Sequence, residues 1–446
     1  MTVLGLLLND RPRTGGHKRY LELLGGLAAR GHEVTLGVAR GGALDPEAAG
    51  ESPDASDGSL TAPAESPGAG AERLARAGVS LVPIDLSPPP LALGARLSAA
   101  RRWARGVTRT LTRHPEVLIG RPTGERDRRA SRRDEDDGDR PVVLVFGEGH
   151  VPAARRLARR ADARLVVALR SDMIAELRAF GAHRGPRLLA ALLRPAEELV
   201  LRCRERAACR SASAIVFQTA RDRDAFIARH PEVTRKAHPK GAAEPRTPII
   251  ANSLNASWFD PRLRDANRSE NLSRLLYVGS LNRRKGLDVL LEAFALLHAE
   301  HPGLTLEIVG TGPLEAELRR HARRLGLGGT EGSAVTFLGY DPAPLARIAG
   351  ADLLVLPSRY DSFPNVLLEA LHTGTPAVAT DSGGSREILD SDDLLVPPED
   401  PRALAAAIGR LVGDPGAYAR ARAHMRDRRK ELEFDWVARF EAVLGQ

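Results

Sequence analysis

The 446-residue chain has two cysteines, three methionines, three tryptophans and five tyrosines, and aromatic residues make up 4% of it. Two cysteines, Cys203 and Cys209 on one arginine-rich stretch, are too few for a disulfide framework. Read without metal-like partners, they are expected to be free thiols in a reducing cytoplasm. No apolar run reaches transmembrane length, and the opening MTVLGLLLND has no basic start, so it reads as a first strand rather than a leader. No helix-turn-helix, zinc-finger or aromatic RNA-binding signature accompanies the net charge of +8. The positive charge is spread through many helices, so nucleic acid is excluded as a partner and an anionic surface is retained.

What is present is strand and helix in alternation, over a length that suits two domains. Strand, glycine loop and helix recur at the start (Thr2 to Leu8, Gly15 and Gly16, then His17 to Ala29). They recur again in PVVLVFGEGH, ARLVVALRSD and SAIVFQT, whose polar ends include Glu148, His150, Arg170, Asp172 and Gln218. This predicts a doubly wound sheet with polar groups at its carboxyl edge. Residues 41–70 and 121–140 are rich in small, polar or charged residues and read as disordered insertions. Between them, Arg96 to Arg113 has Leu97, Trp103, Val107 and Leu111 on one stripe among arginines. That pattern fits a helix packed on a sheet with a solvated basic face, or one lying on a membrane.

The chain is organised around PSRYDSFPNVLLEALHTGTPAVATDSGGSRE, residues 357–387. ADLLVL before it reads as a buried parallel strand, Pro364 opens a helix, Gly374 and Pro376 stop it, and PAVAT is the next strand. Asp361 and Glu369, with seven residues between them that include Phe363, Pro364 and Asn365, can grip pairs of sugar hydroxyls while free helix N–H groups hold a phosphate. Alternatively Asp361 caps the helix and Glu369 is a solvated charge. Upstream, LLYVGSLNRRKGLDVLLEAF and LTLEIVGTGPLEAELRRHA repeat the strand–glycine–helix design and AVTFLGY follows.

From about Leu275 to Leu395 this ordered set resembles the retaining glycosyltransferases of family four. DSFPNVLLEA fits that family's acidic motif, with Asp in its first acidic position. The resemblance implies the GT-B fold: two Rossmann-like α/β domains facing a cleft, with no divalent metal and no cofactor beyond the nucleotide-sugar substrate. It implies an acceptor-side domain over residues 1–251, a donor domain over 252–430 and a last helix over 431–446 that crosses back; the aromatic anchors of that helix alone fit either domain.

The resemblance assigns catalysis to Lys285, Asp361 and Glu369. It assigns donor binding to Gly279, Arg283, Arg284, Gly310, Gly312, Leu338, Phe363, Pro364, Asn365, Gly383 and Gly384. The acceptor and phosphate loops are Gly15, Gly16, His17, His150, Arg170 and Asp172. Two positions depart from the pattern. Arg170 stands where relatives often carry histidine, with His150 as a substitute, and Ser280 stands where they often carry arginine. The expected function is transfer of a sugar from a nucleotide-sugar to a glycan, lipid-linked or small-molecule acceptor. The alternative is a non-catalytic nucleotide-sugar-binding scaffold of the same fold.

A cytoplasmic enzyme docking on the inner membrane face would exploit the basic helix, each residue near the surface adding about 1 kcal/mol. Co-sedimentation with anionic vesicles is expected at low salt and lost by about 0.5 M, where charges are screened beyond about 4 Å. An absence of low-salt binding would remove membrane docking from the account.

Overall fold

In the computed structural model the described residues are 1–7, 15–39, 69–84, 140–180, 187–235, 246–254, 259–266, 270–328 and 333–446. Residues 41–68 and 121–139 of the expected insertions, and the whole Arg96–Arg113 stretch, lie outside them. Where the first insertion was expected to run to Gly70, a helix already begins at Ala69 and continues to Arg76. Its opening Ala-Gly-Ala lacks the apolar residues by which a helix face is read, yet Leu74 anchors it in the core.

Twelve strands form two sheets of six. The first comprises β1 (Thr2–Leu7), β2 (Glu33–Ala39), β3 (Val79–Ile84), β4 (Val142–Phe146), β5 (Arg164–Leu169) and β6 (Ala214–Phe217), in the order β3-β2-β1-β4-β5-β6. The second comprises β7 (Arg274–Val278), β8 (Thr305–Val309), β9 (Val335–Gly339), β10 (Leu353–Leu356), β11 (Ala377–Thr380) and β12 (Leu395–Val396), in the order β12-β11-β10-β7-β8-β9. Each ladder is parallel, for example Val3 to Val142 in the first sheet and Leu353 to Leu275 in the second. Strands buried on both faces need apolar side chains throughout, and VVLVF in β4 and LLVL in β10 are buried at every position.

Both sheets reverse direction once, between β1 and β4 in the first and between β7 and β10 in the second. At such a reversal the loops leaving the two adjacent strands part in opposite directions and open a crevice at the carboxyl edge. The loop after β7 carries Lys285 and the loop after β10 carries Asp361, so the two residues stand on either side of the second crevice.

The chain passes between the sheets twice, and the passages are joined. Ser253, fully buried, donates its hydroxyl to the Phe434 carbonyl at 2.6 Å with the Leu432 carbonyl 3.1 Å away, and the Leu254 N–H reaches the Leu432 carbonyl at 3.0 Å. The Trp436–Leu444 helix then packs against the first sheet, where Trp436 meets Phe146 edge-on and Phe440 stacks on it, at centroid distances of 6.5 and 5.9 Å. Its exposed side is tied by Glu441 to Arg30 and His32 at 2.8 and 2.6 Å. Among the described residues no helix is long and apolar enough to cross a membrane.

Phe440→Ala removes a side chain buried in the first core and is expected to cost about 3–5 kcal/mol. In denaturant unfolding the first domain should lose stability while the second keeps its own; equal loss in both would mean the last helix does not belong to the first core alone.

Candidate functional site

The loops at the carboxyl edge of the second sheet touch one another backbone to backbone. Gly286 has φ +65°, and a Cβ there would lie 2.1 Å from the Pro357 carbonyl oxygen. Gly383 has φ +56°, and its Cβ would lie 1.9 Å from the Asp361 carbonyl oxygen. The same close approach holds between Gly310 and Gly279 (1.9 Å), Gly312 and Leu281 (2.4 Å), and Gly384 and Ser362 (2.3 Å). These glycines are therefore required by the packing of one loop on the next, before any ligand is considered.

Arg359 fixes this arrangement. Its guanidinium donates to Asp288 at 2.9 and 2.7 Å and to the Arg283 carbonyl at 2.8 Å, and its own N–H reaches the Arg284 carbonyl at 2.8 Å. The turn Arg283–Lys285 is thereby held against the loop 357–361, and the Lys285 ammonium pairs with the Asp361 carboxylate. Behind them burial and Asp361 raise the Tyr277 phenol well above its usual range, and its hydroxyl donates to the Ser280 carbonyl at 3.1 Å. Ser280, without a basic side chain, thus serves through its backbone.

The Asn365–Thr373 helix starts beside this pair. Pro364 at its N-cap provides no side-chain cap and the first turn holds no acid, so neither neutralises the positive end of the helix dipole. Phe363 and Pro364 are buried beneath that end. Glu369, one turn on, is partly exposed and its charge is felt by Arg19 of the Gly15–Ala29 helix in the first domain.

Across the crevice the first domain contributes a polar chain. Arg170, leaving β5, donates to the Asn252 side-chain oxygen at 2.9 Å, and the Asn252 amide donates to the Asn365 side-chain oxygen at 3.1 Å. Two further contacts span the domains. The Glu387 carboxylate accepts the Ala220 N–H at 2.7 Å at the start of the Ala220–Arg229 helix, and Arg284 stands 3.9 Å from Glu176.

Not every candidate joins the crevice. Asp172 is a structural residue: its carboxylate caps the Met173–Phe180 helix at the Ile174 and Ala175 N–H groups (3.1 and 2.9 Å) and pairs with Arg229 at 2.7 Å. Three of that carboxylate's roughly four lone-pair positions are thereby taken within the first domain. His150 turns its Nδ1 to the Phe146 carbonyl at 2.9 Å, inside the first domain. Arg283 is exposed at the start of its turn, and Leu338 is exposed near the end of β9. Gly15 and Gly16 open the first helix, preceded by residues 8–14 outside the described set, as is the side chain of His17.

Cys209 does have candidate metal-binding neighbours, contrary to the sequence reading: its thiol, the His230 ring and the Glu232 carboxylate lie within 4.8 Å of one another. The fold brings together helix ends twenty-one and more residues apart, which spacing on one helix does not show. Burial pushes that thiol up to about 12, and His230 is already bonded to Glu205 at 2.8 Å.

The sequence also passed over Arg19, Asn252 and Glu387. Arg19 is fully buried and donates to the Ser253 carbonyl at 2.9 Å. On a helix after a glycine pair it reads as one more surface base, and only the crossing segments bury it.

Residues 273–414 match the family model described as Glycosyl transferases group 1. Over this part, about a third of its length, the chain is similar to the glycosyl transferases group 1. Relatives include glycogen synthase of Mycobacterium tuberculosis, 34% identical over 42% of this chain and 45% of that protein. An exopolysaccharide phosphotransferase of Streptomyces coelicolor is 39% identical over 39% of this chain and 18% of that protein. These alignments span less than half the length of either relative. Among solved structures, sucrose-phosphate synthase from Thermosynechococcus elongatus aligns over 99% of this chain and 98% of its own with TM-score 0.66 and 20% identity. Anabaena HepE in complex with UDP aligns over the same shares with TM-score 0.65 and 18% identity. The fold of the glycosyl transferases group 1 segment and its partner domain is GT-B.

The domain contact is loaded with carboxylates. Asp222, buried, keeps one carboxylate oxygen without a partner among the described residues, and burial together with Asp172 pushes it up to about 6. A carboxyl raised in the folded state binds its proton more tightly there than in the unfolded chain. Its contribution is therefore unfavourable above about pH 6 and vanishes below the unfolded value near 4. Asp222→Asn should stabilise the protein by up to about 3 kcal/mol at pH 8 and leave it unchanged at pH 4. Thermal unfolding across that range checks this; stabilisation equal at both ends would show that charge is not the cause.

Proposed function

We propose that the chain is a retaining glycosyltransferase that moves a sugar from a nucleotide-sugar donor held by the second domain to an acceptor held by the first. The observation that carries this reading is the convergence of Lys285, Asp361 and an uncapped helix start across one crevice, opposite the carboxyl edge of the other sheet. Its setting within a glycosyl transferases group 1 segment supports it.

A diphosphate entering beside the Asn365–Thr373 helix would meet free N–H groups and the Lys285 ammonium. Phosphate would take over Lys285 from Asp361, leaving that carboxylate to accept hydrogen bonds from sugar hydroxyls. As the glycosidic bond to the nucleotide breaks, negative charge grows on the departing diphosphate. Preorganised lysine and amide dipoles stabilise that charge more than the ground state, which accelerates departure. Glu369 is assigned to the nucleotide ribose, whose two hydroxyls one carboxylate can accept. In this reading lysine and helix supply the positive charge, and activity should persist in the presence of a chelator. The acceptor is proposed to be an envelope glycan, glycolipid or small molecule, met in the cytoplasm or at the inner membrane face. Alpha-D-kanosaminyltransferase of Streptomyces kanamyceticus, 30% identical over 47% of this chain and 54% of that protein, is named for sugar transfer. The competing reading is a scaffold that binds a nucleotide-sugar without turnover.

Calorimetry with UDP, GDP and ADP identifies the base, and hydrolysis or transfer of the matching nucleotide-sugar separates enzyme from scaffold. Glu369→Ala should remove most turnover and weaken the nucleotide by about 1.5–3 kcal/mol for each charge-assisted bond lost. Asp361→Asn should lower turnover more than nucleotide affinity. Wild-type affinity and turnover in Glu369→Ala would refute the ribose assignment, and binding with no turnover would favour the scaffold.

A further inference from the structure

The first domain presents one cation to the crevice in an unusual state. Arg170 emerges from the carboxyl end of β5, and its guanidinium lies over the Phe146 ring at 5.1 Å. Its hydrogen-bond partners among the described residues are neutral. Asn252 accepts at 2.9 Å, and Gln218, with its amide turned to satisfy both neighbours, accepts from the two terminal nitrogens at 2.9 and 3.1 Å. Its Nε is buried and has no partner among the described residues, and no carboxylate there lies within ion-pair distance of it. A second cation, Arg19, stands near enough to repel it. Burial and that repulsion push the Arg170 guanidinium down to about 9.

Amide oxygens orient a guanidinium without neutralising it. Desolvated charge without a counter-charge is costly, and proteins retain it where a ligand supplies the opposite sign. Arginine is suited to that use, because its planar fork matches the two oxygens of a carboxylate or phosphate. Asn252 also bonds Asn365 at the start of the helix assigned to the donor. The guanidinium is therefore held at a fixed position next to the reacting end of the donor, but on the opposite wall.

We propose that Arg170 anchors an anionic group of the acceptor, a phosphate or a carboxylate, so that the substrate class is an acidic sugar or a phosphate-bearing glycan or glycolipid. This rests on the glycosyltransferase reading above. It gives the neutral amides Asn252 and Gln218 a positioning role: they turn the guanidinium toward the crevice.

The test begins with calorimetry of the matching nucleoside diphosphate, which should bind wild type and Arg170→Gln within about two-fold of each other. A loss of about ten-fold or more in the variant would move Arg170 to the donor phosphates and overturn the proposal. Nucleotide-loaded protein is then titrated with inorganic phosphate and with acetate. One weak site is expected in wild type and Arg170→Lys, weakened at least about ten-fold in Arg170→Gln. No saturable binding of either anion to wild type would overturn it. Failure of every nucleotide to bind wild type would instead remove the glycosyltransferase reading, while the anion titration would still decide the site.

Transfer assays complete the comparison, with sugar phosphates and uronic acids set against the neutral sugars they derive from. Wild type should prefer an anionic acceptor by about 100-fold or more in kcat/KM, and Arg170→Gln should lose most of that preference. Vesicles carrying a phospholipid acceptor and the free sugar phosphate distinguish the two sources of phosphate. Equal use of neutral and anionic acceptors by wild type, or an undiminished preference in Arg170→Gln, would overturn the proposal.

Discussion

The structure depends on the contact of loop backbone with loop backbone at the carboxyl edge of the second sheet. Side chains at positions 286, 310, 312, 383 and 384 would occupy space already filled by neighbouring carbonyls. Because those loops touch directly, the residues they carry have little freedom to drift, and packed backbone has few alternative arrangements. Arg359 adds the electrostatic tie, joining the turn that bears Lys285 to the loop that bears Asp361. Lys285 and Asp361 are thus held in place by the packing of loop on loop and by Arg359.

The two domains meet through polar contacts around an apolar anchor. Ser253 joins the crossing segments, Arg19 reaches the carbonyl of that same residue, and the last helix fills the first core with Trp436 and Phe440. Around this pivot lie exchangeable contacts, Glu387 on a helix start and Arg284 facing Glu176. Hydrogen bonds and long ion pairs at a rim break at small cost, whereas an aromatic core does not. The division assigns the fixed part of the molecule to the pivot and the adjustable part to the mouth of the crevice.

Much of the fold was legible in sequence. Short apolar runs such as VVLVF and LLVL marked strands buried on both faces, and glycines and prolines marked where helices stopped. Asp361, Lys285 and Asn365 were legible too, because their local frame of strand, turn and helix start is written in neighbouring residues. Asp172 marks the limit of that local reading. A polar residue at a strand end looks alike whether it faces a ligand or caps the next helix, and only the position of Arg229 decided between them.

The sequence by itself determined the two alternating patterns, the acidic pair around a helix start and the basic turn before it, since each depends on residues a few positions apart. Tertiary structure alone decided the strand order that sets Lys285 beside Asp361, and the first core as the seat of the last helix. It alone decided the burial of Arg19, the partial burial of Arg170 and the meeting of Cys209 with His230. The physical reason is range. Periodicity, capping and turn preference act within a few residues, whereas burial and electrostatic environment are set by whatever the fold brings near, often from hundreds of residues away.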